Sequence, residues 1–132
     1  MPLEVRFHDT ALSICQLPQG SDAPTGILRH PFSAFFRTHD EVTLICPTGL
    51  VPHGVKAEHG FIPFGLLGSF DFGLTGILTQ VANPLAGAGV SIVALSTFDT
   101  DYVLIKAEQR TKAIDALRRA GHTVHDGAPN PL

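Results

Sequence analysis

The sequence predicts an α+β protein whose second half is a βαββαβ unit, and three observations lead to this expectation. Residues 61–70 are apolar and interrupted by Gly and Pro, which is typical of a largely buried strand. Apolar residues then recur at helical spacing over residues 77–88. Residues 90–98 and 102–106 are rich in Val, Ile, Leu and aromatic residues, and the polar segment 99–101 between them indicates a hairpin turn.

The first sixty residues predict mostly strands. Residues 3–7 and 11–17 are strand-like, and they form either one hairpin or a single bulged strand. Residues 18–25 contain Pro, Gly, Ser and Asp and predict a loop. At most one helical turn follows at residues 26–30, so this part of the chain has no full-length helix.

A second hairpin is predicted downstream of that loop. Residues 32–38 and 41–46 are strand-like and are joined near His39 and Asp40. Residues 47–60 are rich in turn-forming residues and predict turns, with at most a short helix that contains Pro52 and Gly54. The first half is therefore expected to be a degenerate partner of the second.

The first long helix has recognisable start and stop signals. Thr75 is a good N-cap residue, and Gly87 and Gly89 favour termination because glycine accepts the left-handed conformation. Pro84 lies inside the helix, where it has no N–H and crowds the carbonyl four residues earlier. We therefore expect a kink in the helix near Gln80.

The C-terminal part predicts a second helix and a last strand. Residues 108–120 carry one apolar stripe and an otherwise charged surface, and Gly121 ends the helix. The predicted fold requires a fourth strand at residues 123–125. Residues 127–132 are a Pro- and Gly-containing tail that we expect to be frayed.

Composition excludes several classes of protein. The 132 residues carry a net charge of -3, with no basic stripe, which argues against a nucleic-acid partner. No segment of about 20 apolar residues is free of polar breaks, so no membrane span is expected. The first eight residues lack a basic start and an apolar core, which predicts no secretory signal and a cytoplasmic location.

Neither cysteines nor histidines form a recognisable metal motif. Cys15 and Cys46 lie in apolar, strand-like segments and are expected to be buried free thiols, although a disulfide or a metal pair remains an alternative. His122 and His125 are three residues apart, but the sequence offers no evident third ligand. We therefore predict no metal site and no cofactor.

Residues 76–105, GILTQVANPLAGAGVSIVALSTFDTDYVLI, resemble the core of an ACT domain, a small-molecule-binding regulatory fold. The segment STFDTDYVLIK resembles, more narrowly, the tandem ACT family that includes aspartate kinase regulatory regions and cellular arginine sensors. The resemblance covers residues 61–124 strongly. It covers residues 1–60 more weakly, through RTHDEVTLICP and the following Val51-Pro52.

The resemblance implies a ferredoxin-like βαββαβ ACT fold. We expect a degenerate ACT-like half over residues 1–60, packed on a complete ACT domain over residues 61–126, with a flexible tail over residues 127–132. Since the predicted strands are apolar on both faces, a second surface should cover the sheet, and the resemblance favours a homodimer.

The candidate ligand site lies where the loop 71–76 opens the first helix and where the turn 96–101 joins two strands. A helix N-terminus presents unpaired N–H groups that suit a carboxylate, and nearby aspartates can receive an ammonium group. The alternative is that these residues only shape turns. The positions that match the family's effector site are Asp71, Gly73, Leu74, Thr75, Gly76, Ser96, Thr97 and Asp99.

The predicted function is that of a regulatory protein that binds a small effector, an amino acid by preference, and that acts through ACT–ACT interfaces on a regulated protein partner. The alternative is a structural or interaction module that has lost ligand binding. No G-x-S-x-G or phosphate-loop motif is present, so no catalytic residue is assigned. A weaker option is acid–base or metal chemistry at Asp71, Asp99 and Asp101.

Overall fold

The computed structural model describes residues 2–70 and 76–127, and within them the chain forms two compact units. One unit, here called the continuous unit, comprises Thr10–Phe61. The other, here called the discontinuous unit, comprises residues 2–9 together with the described residues from Ile62 onwards. From the sequence, residues 1–9 were expected to belong to the first half, whereas the structure groups residues 2–9 with the second.

The described residues form strands β1 (Glu4–Phe7), β2 (Leu12–Leu17), β3 (Ala34–Arg37), β4 (Val42–Pro47), β5 (Lys56–Leu66), β6 (Val93–Ser96), β7 (Asp101–Lys106) and β8 (Thr123–His125), with helices α1 (Ile77–Gly87) and α2 (Arg110–Arg119). Short 3₁₀ turns occupy Ile27–Arg29, Thr48–Leu50 and Ala107–Gln109. From β5 onwards the order is βαββαβ, as predicted. Neither described helix has the length and apolar character needed to cross a membrane.

The sheet of the discontinuous unit has the strand order β6-β7-β5-β1-β8. In it β1 runs antiparallel to β5, with Val5 opposite Leu66, and parallel to β8, with Val5 opposite Val124. The strand β2 pairs instead with β4 and β5. The expectation that residues 3–7 and 11–17 form one hairpin or one bulged strand was therefore wrong, because long-range partners take both strands.

The core of the discontinuous unit is built from one face of each helix and the facing side of the sheet. Helix α1 buries Ile77, Val81 and Leu85, which recur every four residues and therefore share one side. Helix α2 buries Ala113, Ile114, Ala116 and Leu117 in the same way. On the sheet, Phe7 and Phe64 stand opposite each other and stack with their ring centroids 4.8 Å apart.

Helix α1 runs through Pro84, and the backbone carbonyl that this proline leaves without its helical partner is satisfied by His122. A proline has no N–H to donate to the residue four positions earlier, which is Gln80. The imidazole Nε2 of His122 donates to the Gln80 carbonyl at 2.8 Å, while Nδ1 accepts from the Leu3 N–H at 3.0 Å. Since the Leu3 N–H is necessarily the donor, the proton lies on Nε2 and the ring is neutral.

The continuous unit repeats this strand arrangement with short turns in place of the helices. Its sheet has the order β3-β4-β2-β5, and β2 pairs antiparallel with β4 along its whole length. The 3₁₀ turns Ile27–Arg29 and Thr48–Leu50 stand where the other unit has helices. Residues from these turns and the following loop pack on a buried cluster of Cys15, Leu17, Val42, Leu44 and Cys46.

Cys15 and Cys46 are buried free thiols in contact with each other. They lie on neighbouring strands, since Cys15 stands opposite Leu44 and Cys46 opposite Ser13. Burial raises the pKa of the Cys15 thiol to about 11, and the adjacent Cys46 adds to the rise. Burial also raises the pKa of Cys46. Both groups are therefore held in the protonated, unreactive form at neutral pH.

We expect the two thiols to make the folded state less stable at high pH. Below the ordinary thiol pKa of 9.0 both states hold the protons, so the contribution is constant. Between 9.0 and about 11 the unfolded chain loses protons that the native state keeps, so the free energy of unfolding falls by up to about 1.4 kcal/mol per pH unit for one thiol. Urea unfolding under reducing conditions from pH 8 to pH 11 measures this slope.

The double variant Cys15→Ala/Cys46→Ala is the control, because lysine and tyrosine titration is common to both proteins. The fall between pH 9 and pH 11 should be shallower in the variant than in the parent. Equal slopes in the two proteins would contradict the prediction.

Candidate functional site

A cavity of about 270 Å³ opens in the discontinuous unit between the start of α1 and the β6–β7 hairpin. The first wall comes from the loop after β5 and the first turn of the helix, and the second wall comes from the hairpin. The described lining residues are Phe70, Gly76, Ile77, Leu78, Ser96, Thr97, Phe98, Asp99, Thr100 and Asp101.

The helix wall presents the N-terminus of α1. Gly76 is the N-cap, with a φ of 78° in the left-handed region, where a side chain would introduce strain. No side chain of the described residues caps this end. The N–H groups of the first turn therefore suit an anionic group placed in the cavity. Thr75 was expected to be the N-cap from the sequence, whereas Gly76 is the N-cap in the structure.

The hairpin wall is rigid because hydrogen bonds close the turn and tie it to the end of β5. The N–H of Thr97 donates to the Thr100 carbonyl at 2.8 Å, and the Thr97 hydroxyl accepts from the Thr100 N–H at 3.3 Å. The Thr100 hydroxyl donates to the Leu66 carbonyl at 2.8 Å. The N–H of Phe70 donates to the Asp99 carbonyl at 2.7 Å. These bonds hold both aspartates of the hairpin at the cavity.

The electrostatic character of the hairpin wall is negative. Of the described lining residues, the charged ones are Asp99 and Asp101. Asp101 accepts a hydrogen bond from the Ser96 hydroxyl at 2.6 Å, which orients its carboxylate. A positively charged group of a ligand is therefore favoured beside the hairpin.

Apolar side chains complete the lining. Phe70 and Leu78 are partly buried and pack against the core of the unit. Phe98 at the tip of the hairpin is 80% exposed. The cavity thus combines a helix N-terminus, two carboxylates and apolar surface, a mixture that suits a small molecule with charged ends.

The structure brings together four of the eight residues assigned from the sequence, because Gly76, Ser96, Thr97 and Asp99 all line the cavity. The other four, Asp71, Gly73, Leu74 and Thr75, lie outside the described residues. Lining residues that were not assigned are Phe70, Ile77, Leu78, Phe98, Thr100 and Asp101. Each lies within a few residues of an assigned one, so the signal for them was their position beside the loop and the turn.

Other polar clusters have structural explanations. In the continuous unit the Ser13 hydroxyl lies 2.7 Å from His59 Nδ1 and 2.9 Å from the Thr48 hydroxyl. Ser13 is fully buried, so the network satisfies a polar group inside the sheet and does not expose a nucleophile. Within residues 2–70 and 76–127, no group of three His, Cys, Asp or Glu side chains is arranged to hold a metal ion.

Comparison with known proteins shows which family model the second half of the chain resembles. Residues 56–119 match the family model described as "ACT domain". The match spans β5 to the end of α2 and so contains both walls of the cavity. The predicted resemblance to ACT domains is confirmed. No protein of curated function matches the sequence significantly.

Solved structures share the fold of the whole chain. A protein from Agobacterium tumefaciens, solved in a structural genomics programme, is 27% identical with a TM-score of 0.89, covering 100% of this chain and 98% of that one. A protein of unknown function from Vibrio cholerae, described as a "possible transport protein", is 18% identical with a TM-score of 0.71, covering 89% of both chains. The ligand-free regulatory subunit of aspartate kinase from Thermus thermophilus is 11% identical with a TM-score of 0.62, covering 87% of this chain and 94% of that one.

Proposed function

We propose that this chain, whose residues 56–119 match the ACT domain family model, is a regulatory protein that binds a small molecule and performs no catalysis itself. The ligand we favour is a free amino acid, held between the start of α1 and the β6–β7 hairpin. The binding residues are the N–H groups beyond Gly76 and the side chains of Ser96, Thr97 and Asp99, joined by Asp101 and by the loop 71–75.

The observation that carries the proposal is the opposite polarity of the two cavity walls. A free amino acid has a carboxylate and an ammonium group, separated by a single carbon. No described side chain caps the N-terminus of α1, which suits the carboxylate, and the carboxylates of Asp99 and Asp101 suit the ammonium or a basic side chain. Phe70 and Leu78 offer apolar contact for the remainder of the ligand.

A second copy of the chain and a regulated protein are part of the same proposal. Among the described residues, β6 pairs with β7 and leaves its other edge open at the side of the sheet. Phe98, at the tip of the same hairpin, exposes 80% of its surface beside the cavity. A homodimer that joins ACT domains here would cover both features. Ligand binding would then favour one packing of the dimer, and a cytoplasmic partner protein would recognise that packing.

The expected result of a thermal-shift screen against the proteinogenic amino acids is stabilisation by one of them or by a chemically related few. A ligand at 100 times its dissociation constant adds about 2.7 kcal/mol to the stability of the state that binds it. The variant Asp99→Asn keeps the shape of the side chain and removes its charge, so the stabilisation should be lost or strongly reduced. Asp115→Asn, an exposed aspartate on α2, is the matched control and should respond like the parent.

A flat response by the parent protein across the whole panel would contradict amino-acid binding. If size-exclusion chromatography with light scattering still showed a dimer in that case, the interaction module that has lost its ligand would become the better description. Equal stabilisation of the parent and Asp99→Asn would contradict the assigned site.

A further inference from the structure

The β3–β4 hairpin of the continuous unit repeats the hairpin that forms the ligand cavity. The tips are Thr38-His39-Asp40-Glu41 and Thr97-Phe98-Asp99-Thr100. In the first, the Thr38 N–H donates to the Glu41 carbonyl at 2.9 Å and the Thr38 hydroxyl accepts from the Glu41 N–H at 3.1 Å. The second hairpin has the same two bonds between Thr97 and Thr100. Each tip places an aspartate at its third position.

The repeat extends beyond the hairpin tips. The strands β3 and β4 correspond in length to β6 and β7, and the turn Thr48–Leu50 after β4 corresponds to the turn Ala107–Gln109 after β7. One constant offset in residue number relates all of these pairs. In both units the loop after the preceding strand is also bonded to the tip: Phe70 N–H donates to the Asp99 carbonyl, and the Gln19 side-chain amide donates to the Asp40 carbonyl.

A second cavity, of about 390 Å³, lies at the corresponding place in the continuous unit. Its walls are the loop after β2, the tip of the β3–β4 hairpin and the start of β5. The polar lining comes from Gln16, Gln19, Asp40, Glu41 and Lys56, and the apolar floor includes the buried Leu17. The loop that follows β2 contains no helix until the turn Ile27–Arg29, so no helix N-terminus faces this cavity.

Lys56 supplies the positive charge that the helix N-terminus supplies in the other unit. Lys56, Asp40 and Glu41 all line the same cavity, so residues with both signs of charge are present. A carboxylate is favoured beside Lys56, and an ammonium group is favoured beside the hairpin tip. The amides of Gln16 and Gln19 can donate to or accept from either group.

We propose that the continuous unit holds a second small-molecule site for a zwitterion of amino-acid size, with Lys56 as the carboxylate ligand and Asp40 and Glu41 as the ammonium ligands. This proposal rests on the proposed function, because the likeness between the two cavities supports ligand binding at the second only if the first cavity binds a ligand. The two sites differ in their anion-binding group, so they are expected to differ in selectivity and affinity.

The test is a ¹⁵N–¹H NMR titration of the full chain with glycine, as the smallest zwitterion, and then with each other proteinogenic amino acid. Binding at the second site is expected to shift the amides of residues 16–19, 40–41 and 54–56. The variant Lys56→Met keeps the aliphatic stem and removes the charge, and it should weaken binding at these amides at least tenfold. Lys112→Met, an exposed lysine on α2, is the matched control and should leave the affinity unchanged.

Asp99→Asn separates this proposal from the proposed function. It should reduce the shifts of residues 76–78 and 97–101 and leave those of the second site in place. Two outcomes would overturn the second site alone. In one, the shifts of residues 16–19, 40–41 and 54–56 (the second set) disappear with Asp99→Asn. In the other, they remain unchanged with Lys56→Met. Shifts confined to the first set with every amino acid would also overturn it and leave the proposed function standing. Absence of shifts in both sets would overturn both proposals.

Discussion

Replacement of Phe7 by alanine is expected to lower the free energy of unfolding of the discontinuous unit by about 3–5 kcal/mol. Phe7 is fully buried on β1 and stacks on Phe64 of β5 with ring centroids 4.8 Å apart. The guanidinium of Arg110 lies over the same ring at 5.8 Å from its centroid. Truncation therefore removes apolar burial, an aromatic pair and a cation–π contact, and it leaves a cavity between strands that cannot close fully.

Urea unfolding monitored by circular dichroism measures the loss, and Phe36→Ala is the matched control. Phe36 lies on β3 and is 66% exposed, so its removal should change the stability by no more than about 0.5 kcal/mol. The comparison also tests the grouping of residues 2–9 with the second half of the chain. A Phe7→Ala cost as small as that of Phe36→Ala would mean that β1 contributes little to that core.

Replacement of His122 by alanine is expected to cost about 2–4 kcal/mol, because the buried Leu3 N–H and the part-buried Gln80 carbonyl both lose their bonds to the imidazole. Pro84 has no N–H to donate to the Gln80 carbonyl, which is bonded to the His122 imidazole, and the Leu3 N–H donates to the same imidazole. Chemical denaturation measures the loss. His125→Ala is the control, because His125 is 36% exposed and its bond to Glu4 is a surface contact worth about 1 kcal/mol or less.

A double-mutant cycle with Pro84→Ala isolates the part that belongs to Gln80. Alanine at position 84 restores the N–H that completes the helical ladder, so the Gln80 carbonyl no longer depends on the imidazole. In that background His122→Ala should cost less than in the parent by about 1 kcal/mol or more. Additive effects of the two substitutions would show that the carbonyl is satisfied by other means once the imidazole is removed.

Local sequence patterns predicted the elements of the second half well. The apolar spacing of α1 and α2, the β-branched runs of β6 and β7 and the turn between them are all encoded within short windows of sequence. The start of β5 was missed, because the strand begins at Lys56 and its first five residues, KAEHG, are polar or small and mostly exposed. The side chains of this segment do not have a strand-like pattern. The structure shows the strand through backbone pairing of Ala57 with Cys15 and of Glu58 with Ile14.

The pairing of β1 was beyond sequence reasoning for a different reason. Val5 on β1 stands opposite Leu66 on β5 and Val124 on β8, both distant in the chain. The strand β2 was expected as the partner because it follows β1 directly in the sequence. Hydrophobic pattern defines which face of a strand is buried but does not select among several apolar partners.

Four of the site residues predicted from the sequence line the cavity, and the cavity also contains residues that the prediction did not name. Glycines before a helix and a Thr-x-Asp turn indicate a loop and a hairpin tip, and both walls of the cavity are built from them. Thr100 and Phe98 were not assigned, because a hydroxyl bonded to the end of β5 and a ring left exposed are consequences of tertiary position. Gly76 is the N-cap, with a φ of 78° that the sequence does not reveal. The neighbouring Thr75 was expected there because threonine is a common N-cap residue.

The parallel pairing of β1 with β8 also sets the order in which the polypeptide can fold as it is synthesised. Glu4 stands opposite Thr123, so the whole stretch between these two residues must leave the ribosome before this pair can form. The strands of Thr10–Phe61 have partners within that stretch and can assemble earlier. Residues 2–9 can meanwhile pair with β5, but β8, the strand on the other side of β1, is still missing. Closure of so long a loop is entropically costly, and it makes the joining of the two ends of the discontinuous unit the natural slow step of folding.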